Sequence, residues 1–268
     1  MGNEYYWRDK ENRANIAKCH TEWAEKNYLK EIRKCSEETI LYENYCAVLT
    51  NKEKSTKLSV FPMDSVSAIL ENNFQGKTAV LNFASYKNPG GGFLEGSRAQ
   101  EECLCHDSFL YNVLSRHKDY YNYNRQKLNK ALYTNRALYS PNVLFFKNKR
   151  AVPCDVITCA APNYSAYSKY NLGGKEENSK VLRSRIRFIL SIAANNKIEN
   201  LILGAYGCGV FGQDPTEVAT IFKEELLNDF KYFKNVIFAI PTTGNNPQNY
   251  DAFFKVMERK NEADVFVG

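Results

Sequence analysis

The residues best suited to chemistry are two adjacent carboxylates. Gly90-Gly91-Gly92 is followed, after seven residues, by Gln100-Glu101-Glu102 at the start of a helical pattern. Adjacent helical residues point about 100° apart, so the two glutamates cannot do the same job. Two carboxylates in one cleft suit glycosidic chemistry, one as acid/base and the other as positioner. Their repulsion would raise one pKa, while a helix N-terminus would lower both. Glutamates that merely complement a helix dipole are common, but the glycine triplet argues for more. Three consecutive glycines are costly in chain entropy, and these follow the apolar run Ala79–Phe83, where a sugar can come close.

A second glycine loop, Gly204 to Gly212, holds four glycines in nine residues and runs into Asp214-Pro215-Thr216-Glu217. Asp214 as cap, Pro215 as first helical residue and Glu217 three past the cap predict a firm helix start. Loop amides and a helix N-terminus together favour a phosphate. Gly207-x-Gly209-x-x-Gly212 formally matches a dinucleotide fingerprint, but it comes late and only one further strand follows. Gly174-Lys175-Glu176 fails as a Walker loop. Cys103, Cys105 and His106 do not share one helix face and lack a second ligand pair, so core cysteines are expected there and no metal site. Cys208 has no histidine near it in sequence and reads as a packing thiol.

The elements that must hold these loops form an alternating series. Buried strands are predicted at Ala79–Phe83, Val156–Ala160, Leu201–Leu203 and Val236–Ile240, with shorter ones at Tyr45–Thr50 and Leu58–Pro62. Helical patterns cover Ala99–Leu114, Ser179–Asn195, Asp214–Phe230 and Pro247–Arg259. A short helix capped by Asp64 or Ser65 contains Val66, Ile69 and Leu70. The opening polar helix, from Asp9 to about Lys34, has Ile16, Trp23, Leu29 and Ile32 as sparse anchors. Alternating strands and helices predict an α/β layer structure with a largely parallel sheet. One domain over residues 1–268 is the simplest account, with 1–44 as an N-terminal helical extension.

The 268 residues carry 36 Lys+Arg and 30 Asp+Glu, a net charge of +6, with 44% hydrophobic residues. That composition excludes disorder and collagen. No stretch approaches a membrane helix, and the charged N-terminus has no apolar signal core. The eight cysteines are expected reduced in a cytoplasm. All the positive excess lies in the tyrosine-rich stretch 115–150, which holds nine of the basic residues and only one acid, Asp119. The remainder carries 27 basic against 29 acidic residues. The stretch is either a solvated face or a contact to a polyanion, and neutralising Lys127, Lys130 and Arg136 is expected to weaken capture of such a polymer.

The GGG…QEE pairing resembles the signature of poly(ADP-ribose) glycohydrolases, and with AYGCGVFGQDP it resembles the bacterial type, whose fold is a macrodomain. Further family-like pieces occur in order: NRANIAKCHTEWAEKNY, YSPNVLFFKN at Tyr139–Asn148 and VITCAAPN at Val156–Asn163. The resemblance implies a three-layer α/β/α macrodomain-like fold with a mixed, largely parallel sheet. It implies hydrolysis of ribose–ribose O-glycosidic bonds in poly(ADP-ribose), releasing ADP-ribose, with no metal or cofactor. By position, Glu102 would be the acid/base and Glu101 would hold the ribose hydroxyls. Gln100 would support the loop, and Asn82 would reach the terminal ribose. Gly90, Gly91 and Gly92 would pass near the diphosphate and distal ribose. Gly207, Cys208, Gly209, Val210 and Phe211 would hold the diphosphate from the other side. Asp64 would meet the adenine. Expected partners are poly(ADP-ribose) or ADP-ribosylated protein; no membrane is expected and no nucleic acid is required.

Two other readings compete: a mono-ADP-ribosyl-protein hydrolase, and a non-catalytic ADP-ribose reader. The paired Glu101–Glu102 argues against the reader, because binding alone needs no second carboxylate near a diphosphate. A nucleic-acid binder working through 115–150 leaves both glycine loops unexplained.

Overall fold

The computed structural model describes residues 9–44, 56–71, 75–147, 150–243 and 247–258. Its strands, β1 (Ile40–Glu43), β2 (Lys57–Phe61), β3 (Thr78–Phe83), β4 (Arg136–Lys147), β5 (Arg150–Cys159), β6 (Asn200–Leu203) and β7 (Asn235–Ala239), form one seven-stranded sheet. The order is β1-β4-β5-β3-β6-β7-β2. β1 and β4 run antiparallel to their neighbours, and β5, β3, β6, β7 and β2 are mutually parallel. The expected strand Tyr45–Thr50 lies outside the described residues.

Helices cover both faces. On one lie α1 (Lys10–Asn27), α2 (Leu29–Glu38), α3 (Ser65–Glu71), α4 (Gln100–His106), α5 (Leu110–Leu114) and α6 (Lys118–Gln126). On the other lie α8 (Lys175–Asn195), α9 (Pro215–Asn228) and α10 (Gln248–Glu258), with the short α7 (Tyr164–Lys169) before α8. This is the three-layer α/β/α arrangement. β3 is central and buried along Ala79–Asn82, as its near-continuous apolar run requires.

Chain direction then decides where chemistry can sit. β3 and β6 are parallel neighbours, so the loops leaving their C-terminal ends, the two glycine loops, emerge side by side at one edge of the sheet. The helix after β3 packs on one face and the helix after β6 on the other. A crevice opens at such a divergence, the usual ligand position in open α/β sheets.

Several elements differ from the sequence-based expectation. The single helix over Ala99–Leu114 is two, broken where Asp107 O accepts from Phe146 N at 2.7 Å and Ser108 bridges to Phe145. Of the four anchors named in the N-terminal helix, only Ile32 is fully buried; Ala17 and Ala24 face the core and Trp23 is 42% exposed. α1 meets the first glycine loop at its N-terminal end, where Gly96 lies against the Lys10 carbonyl and the Ala14 amide. The basic stretch 115–150 supplies α6 and the long strand β4, with Tyr120 and Tyr121 buried. Arg136 is not available to a polymer: it is buried, pairs with Glu43 and packs against the Tyr123 ring at 3.9 Å.

Candidate active site

The first glycine loop is built around the carboxylates. Gln100 opens α4 and stitches it to β3: its Oε1 accepts from Phe83 N at 2.8 Å and its Nε2 donates to Leu81 O at 2.8 Å and to Ser65 Oγ at 3.1 Å. Glu101 is thereby turned inward, 3% exposed, accepting from Ser85 N at 2.6 Å, from Asn82 Nδ2 at 3.2 Å and from the Gly90 amide. Glu102, 6% exposed, accepts from Gly92 N at 2.9 Å on one oxygen and from Ala99 N at 2.7 Å on the other. The triplet's amides at Gly90 and Gly92 are thus spent on fixing the two carboxylates. Gly91 lies between them at φ +61°, where a Cβ would meet Glu102 Oε1 and come within 3.0 Å of Glu101 Oε2. Only glycine fits both that backbone and that space.

Burial drives the electrostatics. It pushes the Glu101 carboxyl up to about 8, helped by the neighbouring Glu102 charge and opposed by the Ser85, Asn82 and Gly90 hydrogen bonds. Glu101 therefore keeps its proton at neutral pH. The folded state holds more protons than the unfolded one between 4.5 and about 8, so this group's contribution to stability falls as pH rises through that window. Relative to wild type, Glu101→Gln is expected to gain melting temperature as pH rises from 5 to 8, on top of a pH-independent loss from the amide N–H turned on one of the donors, as thermal melts across that range would show. A difference that does not change with pH would mean that Glu101 is ionised throughout.

The loop is anchored from outside. Arg13 of α1 donates through Nε to Gly96 O at 2.7 Å, and Gly96, at φ +74°, lies against the Lys10 carbonyl. The N-terminal helix therefore clamps the far end of the loop that leads into α4 and Glu102.

The second loop is pinned from three directions. Ser165 N donates to Phe211 O at 3.0 Å, Gln213 N donates to Gly207 O at 3.0 Å, and Gln213 Nε2 donates to Pro162 O at 2.8 Å and to Asn178 Oδ1 at 2.9 Å. The amides of Gly209, Val210 and Phe211 have no protein acceptor among the described residues, and Val210 is 85% exposed. Three successive unengaged donors suit an anion. Cys208 is buried, its Sγ lies 3.6 Å from Tyr206 O, and burial pushes its pKa up, so it is a packing thiol.

Asn82 is wholly buried at the end of β3. Its Nδ2 also donates to Thr158 Oγ1 at 3.3 Å, while its Oδ1 has no partner among the described residues. An unmatched buried acceptor is costly and marks a place where a ligand hydroxyl can bind. Asp64 stands at the same edge of the sheet as the N-cap of α3, both oxygens accepting from Ser67 at 2.9 Å.

A family model, Microbial-type PARG, catalytic domain, matches residues 12–148, just over half of the chain. The chain belongs to the microbial-type poly(ADP-ribose) glycohydrolase family. It is accordingly a glycosidic-bond hydrolase, and its fold agrees. The poly(ADP-ribose) glycohydrolase of Thermomonospora curvata is 29% identical, with a TM-score of 0.84 over 92% of this chain and 99% of that one. A structure of the same protein bound to the inhibitor ADP-HPD is 30% identical, with a TM-score of 0.81 over 91% and 99%. The Deinococcus radiodurans glycohydrolase in complex with ADP-ribose is 33% identical, with a TM-score of 0.77 over 85% and 97%. Comparison with curated proteins gave no match. Among the described residues, no helix of this glycohydrolase is long and apolar enough to cross a membrane.

Sequence reasoning did not find Ser85, Ala99, Thr158 or Arg13. Ser85 and Ala99 act through backbone amides, which no side-chain pattern reveals. Arg13 acts 83 residues from its acceptor.

Proposed function

We propose that the glycohydrolase binds an ADP-ribose unit of poly(ADP-ribose) between its two glycine loops and cuts the ribose–ribose bond with Glu102 as acid/base. The observation that carries this is the pair of buried carboxylates held on either side of Gly91. Glu101 has three donors on its oxygens and Glu102 two, which leaves Glu102 the greater free acceptor capacity for a reacting oxygen. Glu102 protonates the leaving ribose oxygen with the proton that Glu101 holds at neutral pH and passes across the pair. Its carboxylate then takes a proton from the water that attacks the anomeric carbon. Glu101, having passed that proton on, accepts from a ribose hydroxyl, and the proton taken from water restores the pair's starting state. The unmatched Asn82 Oδ1 accepts from another hydroxyl.

The diphosphate takes the free amides of Gly209, Val210 and Phe211, with Gly207 and Cys208 shaping the turn. A diphosphate fixed there stabilises the positive charge that develops on the ribose. Gly90 to Gly92 line the opposite wall, and Asp64 meets the adenine at the β2 end of the same edge. No metal or cofactor is required by these steps. The seven described cysteines are unpaired, which fits a reducing cytoplasm.

The test is incubation with purified poly(ADP-ribose) and, separately, with mono-ADP-ribosylated protein, followed by chromatography of released ADP-ribose. Release from the polymer supports the reading. Tight ADP-ribose binding without release from either substrate would make the protein a reader, and release from the mono-modified protein alone would make it a mono-ADP-ribosyl hydrolase.

A further inference from the structure

The wall beside the two loops contains an unusual run of backbone. Asn129, Lys130 and Ala131 have φ of +44°, +52° and +70°, and Tyr133 follows at +62°. Non-glycine residues in this left-handed region clash through Cβ, and consecutive ones persist only where the surroundings over-determine them. Here Tyr133 N donates to Leu128 O at 3.1 Å, Asn129 Nδ2 to Tyr133 O at 2.9 Å, Asn163 N to Ala131 O at 2.9 Å, and the buried Arg185 to Leu132 O at 3.3 Å. The result is that Tyr133 stacks on Tyr86 at 4.1 Å and meets Phe211 edge-on at 6.0 Å, while Lys127 and Lys130 stay exposed.

Tyr86 gathers the surrounding cations. Its OH donates to Lys127 O at 2.9 Å and its carbonyl accepts from Asn124 Nδ2 at 2.9 Å, which brings α6 alongside. Exposed Lys87 follows Tyr86, and Ser85 before it holds Glu101. Three charges elsewhere on the basic stretch are matched: Arg116 with Glu25, Arg136 with Glu43, Lys147 with Glu71. Lys87, Arg125, Lys127 and Lys130 make no ion pair among the described residues. The cations left without a carboxylate partner thus include those on the segments that meet at Tyr86, next to Ser85 and the Glu101 it holds.

We propose that this rim is a second anion subsite, which holds the diphosphate of the ADP-ribose unit joined to the one in the cleft. The inference rests on the reading above. Polymer cleavage leaves that neighbouring unit just outside the carboxylate pair, and its diphosphate is the anion that this rim fits. The left-handed turn presents Lys130 there, and the Tyr86–Tyr133 stack keeps the surface rigid.

The test is the full chain carrying Lys87→Gln, Lys127→Gln and Lys130→Gln together, with an unchanged melting temperature as the folding control. Two substrates are compared: long poly(ADP-ribose), and ADP-ribose glycosidically linked to a neutral fluorogenic alcohol, which has no second diphosphate. On the polymer, kcat/KM should fall about tenfold at about 20 mM salt, and the deficit should close near 300 mM. On the neutral glycoside it should stay within about twofold, because no second anion is present. Equal losses on both substrates, or no loss on the polymer, would overturn the subsite. Lost affinity for single-stranded RNA with polymer turnover intact would also overturn it, by assigning the surface to nucleic acid. If wild type releases no ADP-ribose from the polymer, the functional reading itself falls instead.

Discussion

Glu102→Gln is expected to lower kcat on poly(ADP-ribose) by at least about a thousandfold, within the range that acid/base catalysis supplies. ADP-ribose affinity should hold within about threefold, because the interaction removed belongs to the transition state. The variant has a structural cost that must be kept apart from the chemical one. Glu102 accepts from both Gly92 N and Ala99 N, whereas glutamine offers one acceptor and turns an amide N–H towards the other donor. One unmatched buried donor costs about 1–3 kcal/mol, visible as a lowered melting temperature. Steady-state kinetics with binding calorimetry separate the two effects: a collapsed loop loses both turnover and affinity, a missing proton donor only turnover. A variant keeping a tenth of wild-type kcat would show that Glu102 is not the acid/base.

Gly91→Ala should be nearly as damaging although it removes no reacting group. An L-residue at φ +61° costs about 1–2 kcal/mol. The added methyl meets Glu102 Oε1 directly and comes within 3.0 Å of Glu101 Oε2, so one or both carboxylates must move. Displacements of about 1 Å at reacting groups commonly cost about a hundredfold in rate. A kcat reduced about a hundredfold or more is therefore expected, with a melting temperature only a few degrees lower. Wild-type kcat in this variant would mean that the carboxylates have slack the geometry does not show.

The parts of this site legible in sequence were those with a short-range signature. Apolar runs marked β3, β6 and β7, and the Asp214–Pro215 start marked α9 to within a residue. The two glycine loops and the glutamate pair were visible because glycine and carboxylate chemistry is written in residue type. β4 was not, since Arg136–Lys147 contains Pro141, Asn142 and two cations, and pairs on one side with a mostly exposed edge strand. Nor was the difference between the glutamates, which comes from burial set by Gln100 and β3 rather than from their neighbours in sequence. The charge of 115–150 was legible, but its division into structural and free cations required knowing that Glu43, Glu25 and Glu71 lie opposite Arg136, Arg116 and Lys147.

Cleavage requires a carboxylate pair that enters the reaction with a proton to give. The dependence of kcat/KM on pH tests this most directly, because it reports groups of the free enzyme. With burial raising Glu101 to about 8, the rate should be level through neutral pH and fall as pH rises past about 8. The Glu101→Gln variant should be slower and lack that alkaline limb. A wild-type profile level to pH 10, or one already falling near pH 5, would contradict it.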